Sequence, residues 1–173
     1  MLTGFTSRLA SLNSIAISRW LISDGMGFTH RAKWWAGGQR PDSHIGADLY
    51  RYESAGGGVS LLMPGAIVPV LWPGRVVGIA ADFIATSVFI HHPELGLLSA
   101  FGHILPADGV RIGGQIGAAD VVGSVAPNPD RACPAHLHIS VAEVGESIAS
   151  VAGWQELEAA SGVKFLDPEA YLY

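Results

Sequence analysis

The sequence predicts a mainly β protein with minor α content, built on an antiparallel sheet. Turn-forming residues are frequent, with 22 Gly and 10 Pro among the 173 residues. Short apolar or β-branched runs lie between them, and no helical pattern of about 10–15 residues separates these runs as it would in a βαβ fold. Hydrophobic residues make up 49% of the chain and charged residues 14%, which is typical of a packed globular protein rather than a disordered one.

Each predicted strand is an apolar run bounded by turn residues. The first lies between Pro64-Gly65 and Pro73-Gly74, and Gly, Pro or Asp bound the others. The predicted strands are Ala66–Leu71, Arg75–Ala80, Ser87–Ile90, Gly96–Phe101 and Gln115–Val122.

Two helices are predicted, one near each end of the chain. The first covers Ser7–Leu21. The second covers Ser147–Ala160, where Val151, Trp154 and Leu157 recur at helical spacing.

Charge and hydropathy exclude two classes of partner. The formal net charge is −5 and the basic residues are scattered, so the chain has no basic patch for nucleic acid. Residues 59–90 are apolar, but prolines interrupt them before any run reaches the roughly 18 residues of a membrane helix. The apolar stretch Leu9–Ile17 is too weak to predict a signal peptide.

Cys133 is the only cysteine, which excludes an intramolecular disulfide. No sequence pattern predicts an oligomeric state.

The segment from His136 to Ser140 carries two histidines at strand spacing. Side chains alternate between the faces of a strand, so Leu137 and Ile139 share one face while His136, His138 and Ser140 share the other. An apolar face that backs two convergent imidazoles is how a strand presents ligands to a metal. The alternative is a chance pair of histidines on a half-exposed strand.

Two further elements bring polar side chains that suit a metal site. In the segment from His44 to Asp48 the even spacing keeps both polar side chains on one side of an extended chain, and Gly46 between them allows close approach. His103 follows Gly102 at the end of an apolar run. Two His and one carboxylate suit zinc and leave a fourth position for water, whereas a structural zinc normally takes four protein ligands and favours Cys. The combination therefore favours a catalytic metal.

The order of these motifs, HIGAD, then FGH, then HLHIS, resembles the M23 family of zinc metallopeptidases, of the lysostaphin and LytM type. The similarity extends from about residue 25 to the C-terminus. It implies an antiparallel sheet with a groove over the metal in a metallopeptidase domain at 25–173, and an N-terminal extension at 1–24 packed on that domain. Other segments that resemble family patterns are Pro64–Val70, Gly74–Val77, Asp108–Gly117 and Phe165–Leu172.

Carried over position by position, the resemblance implies one zinc ion held by His44, Asp48 and His138. It implies catalytic roles for His103 and His136, one in proton transfer and the other in stabilising the oxyanion. The reaction would be metal-assisted hydrolysis without the glutamate of an HExxH motif. All five positions are filled, which argues against a member of the family that has lost its activity.

We expect Phe101, Gly102 and Ser140 to line the substrate groove. The chain departs from the family pattern in two segments, since Leu49–Met63 is an extra stretch and Ala126–Ala135 replaces the usual approach to the HLH motif. Phe101 stands where a Tyr is common. These departures bear on substrate specificity more than on the metal.

The resemblance implies a zinc-dependent endopeptidase whose substrate is a peptide of bacterial cell-wall peptidoglycan. It also implies a place in the cell envelope, either periplasmic or secreted. A non-catalytic LytM-like binding module that regulates a cell-wall hydrolase is the alternative, and the intact ligand set argues against it.

Two other classes of metal enzyme share part of the pattern. His136, His138 and Glu143 match the first motif of cupin oxygenases, but the cupin site needs a later histidine and none follows His138. The D-Ala-D-Ala peptidases carry an element similar to Ser43–Asp48. Their His-to-Asp spacing is longer, and the tryptophan–histidine motif that they carry near the end is lacking here.

Overall fold

Short strands form most of the regular structure. The structure, a computed structural model, describes residues 4–128, 133–145 and 148–173. The strands within them are β1 (Ile17–Trp20), β2 (Ala47–Leu49), β3 (Arg51–Ser54), β4 (Val59–Leu61), β5 (Ile67–Pro69), β6 (Gly74–Ala81), β7 (Thr86–His92), β8 (Leu97–Pro106), β9 (Gln115–Ile116), β10 (Val121–Val125), β11 (Leu137–Glu143) and β12 (Lys164–Leu166). The helices are α1 (Phe5–Leu12), α2 (Trp154–Ala159) and a 3₁₀ helix at Pro168–Tyr171.

Two sheets organise these strands, and every pairing is antiparallel. The main sheet has nine strands, and its central order is β12-β11-β8-β7-β6-β9. Strand β2 pairs with β11, and β10 pairs with both β8 and β5. The smaller sheet has the order β1-β3-β4. The predicted mainly β, antiparallel fold class is therefore confirmed.

Alternation along the central strands buries apolar side chains on both faces of the main sheet. In β7, Val88 and Ile90 belong to one core cluster, while Phe89 between them belongs to the other. In β8, Phe101 joins the first cluster and Leu98 the second. Each fully buried side chain of this size stabilises the fold by roughly 1.5–3 kcal/mol. The central strands are therefore packed on both faces, and this packing fixes the positions of the polar side chains near their ends.

The predicted strands are present with shifted ends. Strands β5 to β8 correspond to the first four predicted runs. The fifth run, Gln115–Val122, is divided between β9 and β10 by a turn in which the Gly117 amide donates to the Asp120 carboxylate at 2.7 Å. The strand predicted around the HLHIS motif is β11.

The predicted helix Ser7–Leu21 is wrong in its second half. Helix α1 ends at Leu12, where the Asn13 side chain donates to the Leu9 carbonyl oxygen at 2.8 Å and Ser14 adopts a φ of 53°. The chain then runs extended as β1 and pairs with β3. Pairing with a distant strand thus overrides the local helical pattern.

The second predicted helix, Ser147–Ala160, is reduced to α2. Residue 147 lies outside the described residues, and residues 148–153 are not helical. The Val151 amide donates to the Val77 carbonyl oxygen at 2.9 Å, so this segment docks on the main sheet instead. Within the described parts of the chain, no helix is long and apolar enough to cross a membrane.

The N-terminal residues pack into the main core. Phe5 and Leu9 on α1 are buried in the first core cluster, and Arg8 donates to the Val70 carbonyl oxygen. Strand β1 joins β3 and β4, which come from the extra stretch Leu49–Met63. The domain boundary at residue 24 stays a prediction.

Candidate metal centre

Strand pairing brings the first two candidate ligands face to face. His138 on β11 pairs with Asp48 on β2 and with Gly102 on β8. His44 lies just before β2, on the same side of the sheet. Gly46 allows this approach, because a Cβ at that position would lie 2.3 Å from the Ile139 carbonyl oxygen. Glycine is therefore required where the HIGAD segment crosses β11.

The donor atoms of His44, Asp48 and His138 form a small buried triangle. His44 Nε2 lies 3.1 Å from His138 Nδ1 and 3.2 Å from Asp48 Oδ1, and the last two atoms are 3.0 Å apart. Metal–ligand bonds of about 2.0–2.1 Å at tetrahedral angles need donors roughly 3.3 Å apart. A slight expansion of the triangle therefore accommodates a zinc ion.

The second ring nitrogen of each histidine ligand has its own partner. His44 Nδ1 donates to the Gly27 carbonyl oxygen at 3.1 Å, which leaves a lone pair on Nε2. His138 Nε2 lies 2.8 Å from Ser140 Oγ, and when it donates to this hydroxyl, Nδ1 also presents a lone pair. Outer partners of this kind orient metal-ligating imidazoles. In this arrangement three lone pairs meet at one point, and a cation satisfies all of them.

Hydrogen bonds hold one carboxylate oxygen of Asp48, and the other oxygen is available as a metal ligand. Trp34 Nε1 donates to Oδ2 at 2.7 Å and Arg40 Nη2 lies 3.1 Å from the same oxygen. Burial raises the pKa of Asp48, but without a metal the rings of His138 and His44 in their other tautomers donate hydrogen bonds to it, which outweigh burial and hold the pKa well below its usual range. The ligand is therefore an ionised carboxylate that presents Oδ1.

His136 stands beside the triangle as a neutral ring. Its Nδ1 donates to the Pro134 carbonyl oxygen at 2.7 Å, and its Nε2 lies 3.6 Å from Asp48 Oδ1. Burial lowers the pKa of His136, against the opposing effect of the Asp48 charge. Burial likewise lowers the pKa of His138 to about 4, although its hydrogen bond to Asp48 raises it. Both rings, that of His138 on β11 and that of His136 directly before it, are thus neutral near pH 7.

His103 reaches the site through a bulge in β8. Two residues of β8, Gly102 and His103, stand opposite the single residue Ser87 of β7, because the register shifts between Val88 and Thr86. His103 adopts a φ of 63°, in the left-handed region. The bulge turns the His103 ring to 4.7 Å from that of His136, measured between ring centroids.

Asp82 is a further charged group of the site, and the sequence pattern does not single it out. Its Oδ1 accepts hydrogen bonds from the amides of Ile84 and Ala85, and its Oδ2 accepts from Ser87 Oγ and the His103 amide. Burial raises the pKa of Asp82, but hydrogen bonding and the charge of His103 outweigh it and lower the pKa. In the sequence this residue is a turn aspartate like many others.

A cavity of about 240 Å³ opens over these groups. The predicted metal and catalytic residues all line it, together with Asp82 and Arg40. Its aromatic walls are Trp35, Phe83 and Trp154. The Trp35 and Phe83 rings are stacked with centroids 6.2 Å apart, and the Phe83 ring lies 4.6 Å from that of His103.

The three residues expected in the substrate groove lie elsewhere. The expectation for Phe101 is wrong, because its side chain is fully buried on the opposite face of the sheet, 6.4 Å from the Phe5 ring. Gly102 packs beneath His138, since a Cβ there would lie 3.2 Å from the His138 Cβ. Ser140 is buried and hydrogen-bonded to His138 rather than exposed to the cavity.

The chain has the fold of lysostaphin-type peptidase domains. The catalytic domain of the antimicrobial peptidase lysostaphin from Staphylococcus simulans matches with a TM-score of 0.59 and 14% identity, over 98% of this chain and 98% of that chain. LytU matches with a TM-score of 0.52 and 17% identity, over 87% of this chain and 88% of that chain. A longer lysostaphin chain matches with a TM-score of 0.55 and 16% identity, over 87% of this chain and 50% of that one, so this chain spans half of its length.

No protein-family model matches the sequence, and no curated protein matches it either. At identities this low, the structural likeness establishes the fold alone. The activity depends on the chemistry of the cavity rather than on the fold.

Proposed function

We propose that this protein is a zinc-dependent endopeptidase of the M23 family that hydrolyses peptide bonds in bacterial cell-wall peptidoglycan. The convergence of His44 Nε2, Asp48 Oδ1 and His138 Nδ1 on one point, beside His103 and His136, carries the proposal. The fold shared with an antimicrobial peptidase domain supports it. The substrate class rests on this likeness and on the order of the motifs.

The donor set fits a catalytic zinc ion. Three protein ligands drawn from imidazole and carboxylate, with a fourth position open to a cavity, are the usual arrangement in zinc hydrolases. His44, Asp48 and His138 would hold the ion. When bound, zinc supplies a Lewis acid that polarises a peptide carbonyl and lowers the pKa of water to roughly 7.

His103 and His136 are the groups of the cavity that can move a proton. His136 uses Nδ1 to bond the Pro134 carbonyl oxygen, so its Nε2 faces the donor triangle. His103 faces the same space from β8. We assign proton transfer and stabilisation of the developing negative charge on the peptide oxygen to this pair.

Metal analysis together with a lysis assay tests the proposal. We expect about one zinc per chain, and we expect a chelator to abolish the loss of turbidity of purified peptidoglycan until zinc is restored. His138→Ala should lose zinc, whereas His103→Ala should keep zinc and lose turnover.

Two outcomes would contradict the proposal. Full activity in zinc-loaded His103→Ala would remove that histidine from the mechanism, and a wild-type chain that binds no zinc would remove the metal centre. Zinc binding without lysis would favour the alternative, a LytM-like binding module that regulates a cell-wall hydrolase.

A further inference from the structure

We infer that Asp82 is a positioning residue for His103, which holds the ring with Nδ1 protonated so that Nε2 faces the cavity. The inference rests on the proposed function, because it assigns a partner to one of the two histidines of that site. Asp82 itself stands behind His103 and acts through it.

The Asp82 carboxylate is built into the turn before β7. Its side chain is only 4% exposed. The amides of Ile84 and Ala85 donate to Oδ1 at 2.9 and 2.8 Å, and Ser87 Oγ donates to Oδ2 at 2.7 Å. These donors stabilise the charged form and fix its orientation. A buried carboxylate with this many donors is a fixed negative charge beside the cavity.

Two groups of His103, the backbone amide and the ring Nδ1, lie against this carboxylate. Its backbone amide donates to Asp82 Oδ2 at 2.8 Å, which anchors the bulge. Its Nδ1 lies 3.0 Å from Asp82 Oδ1, within ion-pair distance but at an angle outside that of a hydrogen bond. Because a buried N–H without an acceptor is costly, a small rotation of the ring toward Oδ1 is favoured. Protonation at Nδ1 then leaves Nε2 as the atom that faces the cavity.

The partner of His136 is of a different kind. His136 Nδ1 donates to a neutral carbonyl, that of Pro134, whereas His103 Nδ1 faces a carboxylate. A proton taken from water by His103 Nε2, as the water oxygen bonds to the peptide carbon, makes the ring a cation. Asp82 offsets that charge until the proton passes to the leaving amide nitrogen as the C–N bond breaks. Of the two rings, His103 is therefore the one prepared to carry a proton between the two transfers.

Nitrogen-15 NMR of the histidine rings in the zinc-loaded protein tests the inference without substrate. We expect His103 in the wild type to show a protonated Nδ1 and an unprotonated Nε2, with the His103 signals identified by their loss in His103→Ala. In Asp82→Asn this preference should be lost. A wild-type His103 ring protonated at Nε2 would overturn the inference, whether or not any variant folds.

Kinetics then separate positioning from simple structural support. In Asp82→Asn, which keeps an acceptor for the Ile84 and Ala85 amides, we expect kcat to fall on the order of 10²-fold, with KM and zinc content unchanged. The matched control is Asp120→Asn, since Asp120 is an exposed turn carboxylate that accepts from the Gly117 amide at 2.7 Å. The control should keep kcat.

The outcomes distinguish the inference from the proposed function. An unchanged kcat in folded Asp82→Asn, or an equal loss in Asp120→Asn, would overturn the inference. If the wild type cleaves no peptide, the proposed function fails, and the NMR result alone decides the role of Asp82.

Discussion

At the scale of single residues, the candidate ligands depend on partners that the motifs do not contain. Asp48 presents Oδ1 because Trp34 and Arg40 bind Oδ2. Arg40 also donates to the carbonyl oxygens of Gly25 and Ala32 at 2.6 and 2.7 Å, so it connects the ligand to the preceding loop. A carboxylate fixed in this way loses less freedom when a metal binds.

Arg40 should therefore set the affinity for zinc. We expect Arg40→Ala to weaken zinc binding about 10- to 100-fold, because Asp48 loses an outer partner. Competition with a metal chelator measures the Kd. The control is Arg19→Ala, whose exposed partner is Glu53, and it should bind zinc as the wild type does. If Arg40→Ala bound zinc as tightly as Arg19→Ala does, Trp34 alone would be sufficient to orient Asp48.

His92 should make the stability of the metal-free protein depend on pH. Burial lowers the pKa of His92 to about 4 from the ordinary 6.5, although its bond to the Pro73 carbonyl raises it. A histidine with a depressed pKa contributes its full stability above the unfolded pKa, and this contribution is lost as the pH falls through the interval to the folded pKa.

The free energy of unfolding should thus fall from pH 6.5 toward pH 4, and less steeply in His92→Gln. Denaturant titrations at several pH values measure it. Identical slopes in the two proteins would assign the pH dependence to the other buried histidines.

At the scale of elements, β8 and β11 show where a periodic pattern predicts a site and where it fails. His136 directly precedes the regular strand β11, and the spacing of His136 and His138 correctly predicts that both rings face one cavity. In β8 the same rule puts Phe101 and His103 together, but the bulge sends them to opposite faces. A bulge depends on the partner strand, and the local sequence does not encode that partner.

The left-handed backbone conformation of His103 should lower the free energy of unfolding. We expect the metal-free His103→Gly variant to be more stable than His103→Ala by about 1 kcal/mol, because glycine adopts a positive φ without a Cβ clash. Thermal unfolding compares them. At Gln155, inside α2, the order should reverse, with alanine more stable than glycine. Alanine more stable at both positions would show that the backbone of the bulge relaxes.

At the scale of the whole molecule, the parts outside the family resemblance are integral to the core. Helix α1 inserts Phe5 and Leu9 into the cluster that also contains Phe101 and Ile139, directly behind the site. The sequence predicts a helix here, but it does not predict that its partners lie on distant strands, because such contacts come from the tertiary fold. We propose that residues 1–24 are an N-terminal extension of the metallopeptidase domain, and this proposal rests on the sequence resemblance alone.

Leu9 tests this view. We expect Leu9→Ala to lower the free energy of unfolding by about 2–5 kcal/mol, since a fully buried leucine leaves a cavity. Leu12→Ala, on the same helix but 42% exposed, should cost far less. Chemical denaturation measures both. Similar small effects would mean that the first 24 residues dock loosely on the domain.

The smaller sheet has one more consequence, which concerns how the chain can be shortened or recombined. Strand β1 pairs only with β3 among the described strands, and Trp20 packs edge-on against Tyr52 with ring centroids 5.9 Å apart. In a chimera that removes the hairpin of β3 and β4 but keeps β1, the backbone edge of β1 would be unpaired and Trp20 would lose its Tyr52 contact, so we expect it to aggregate. The two segments, distant in sequence, should therefore be transplanted or deleted together.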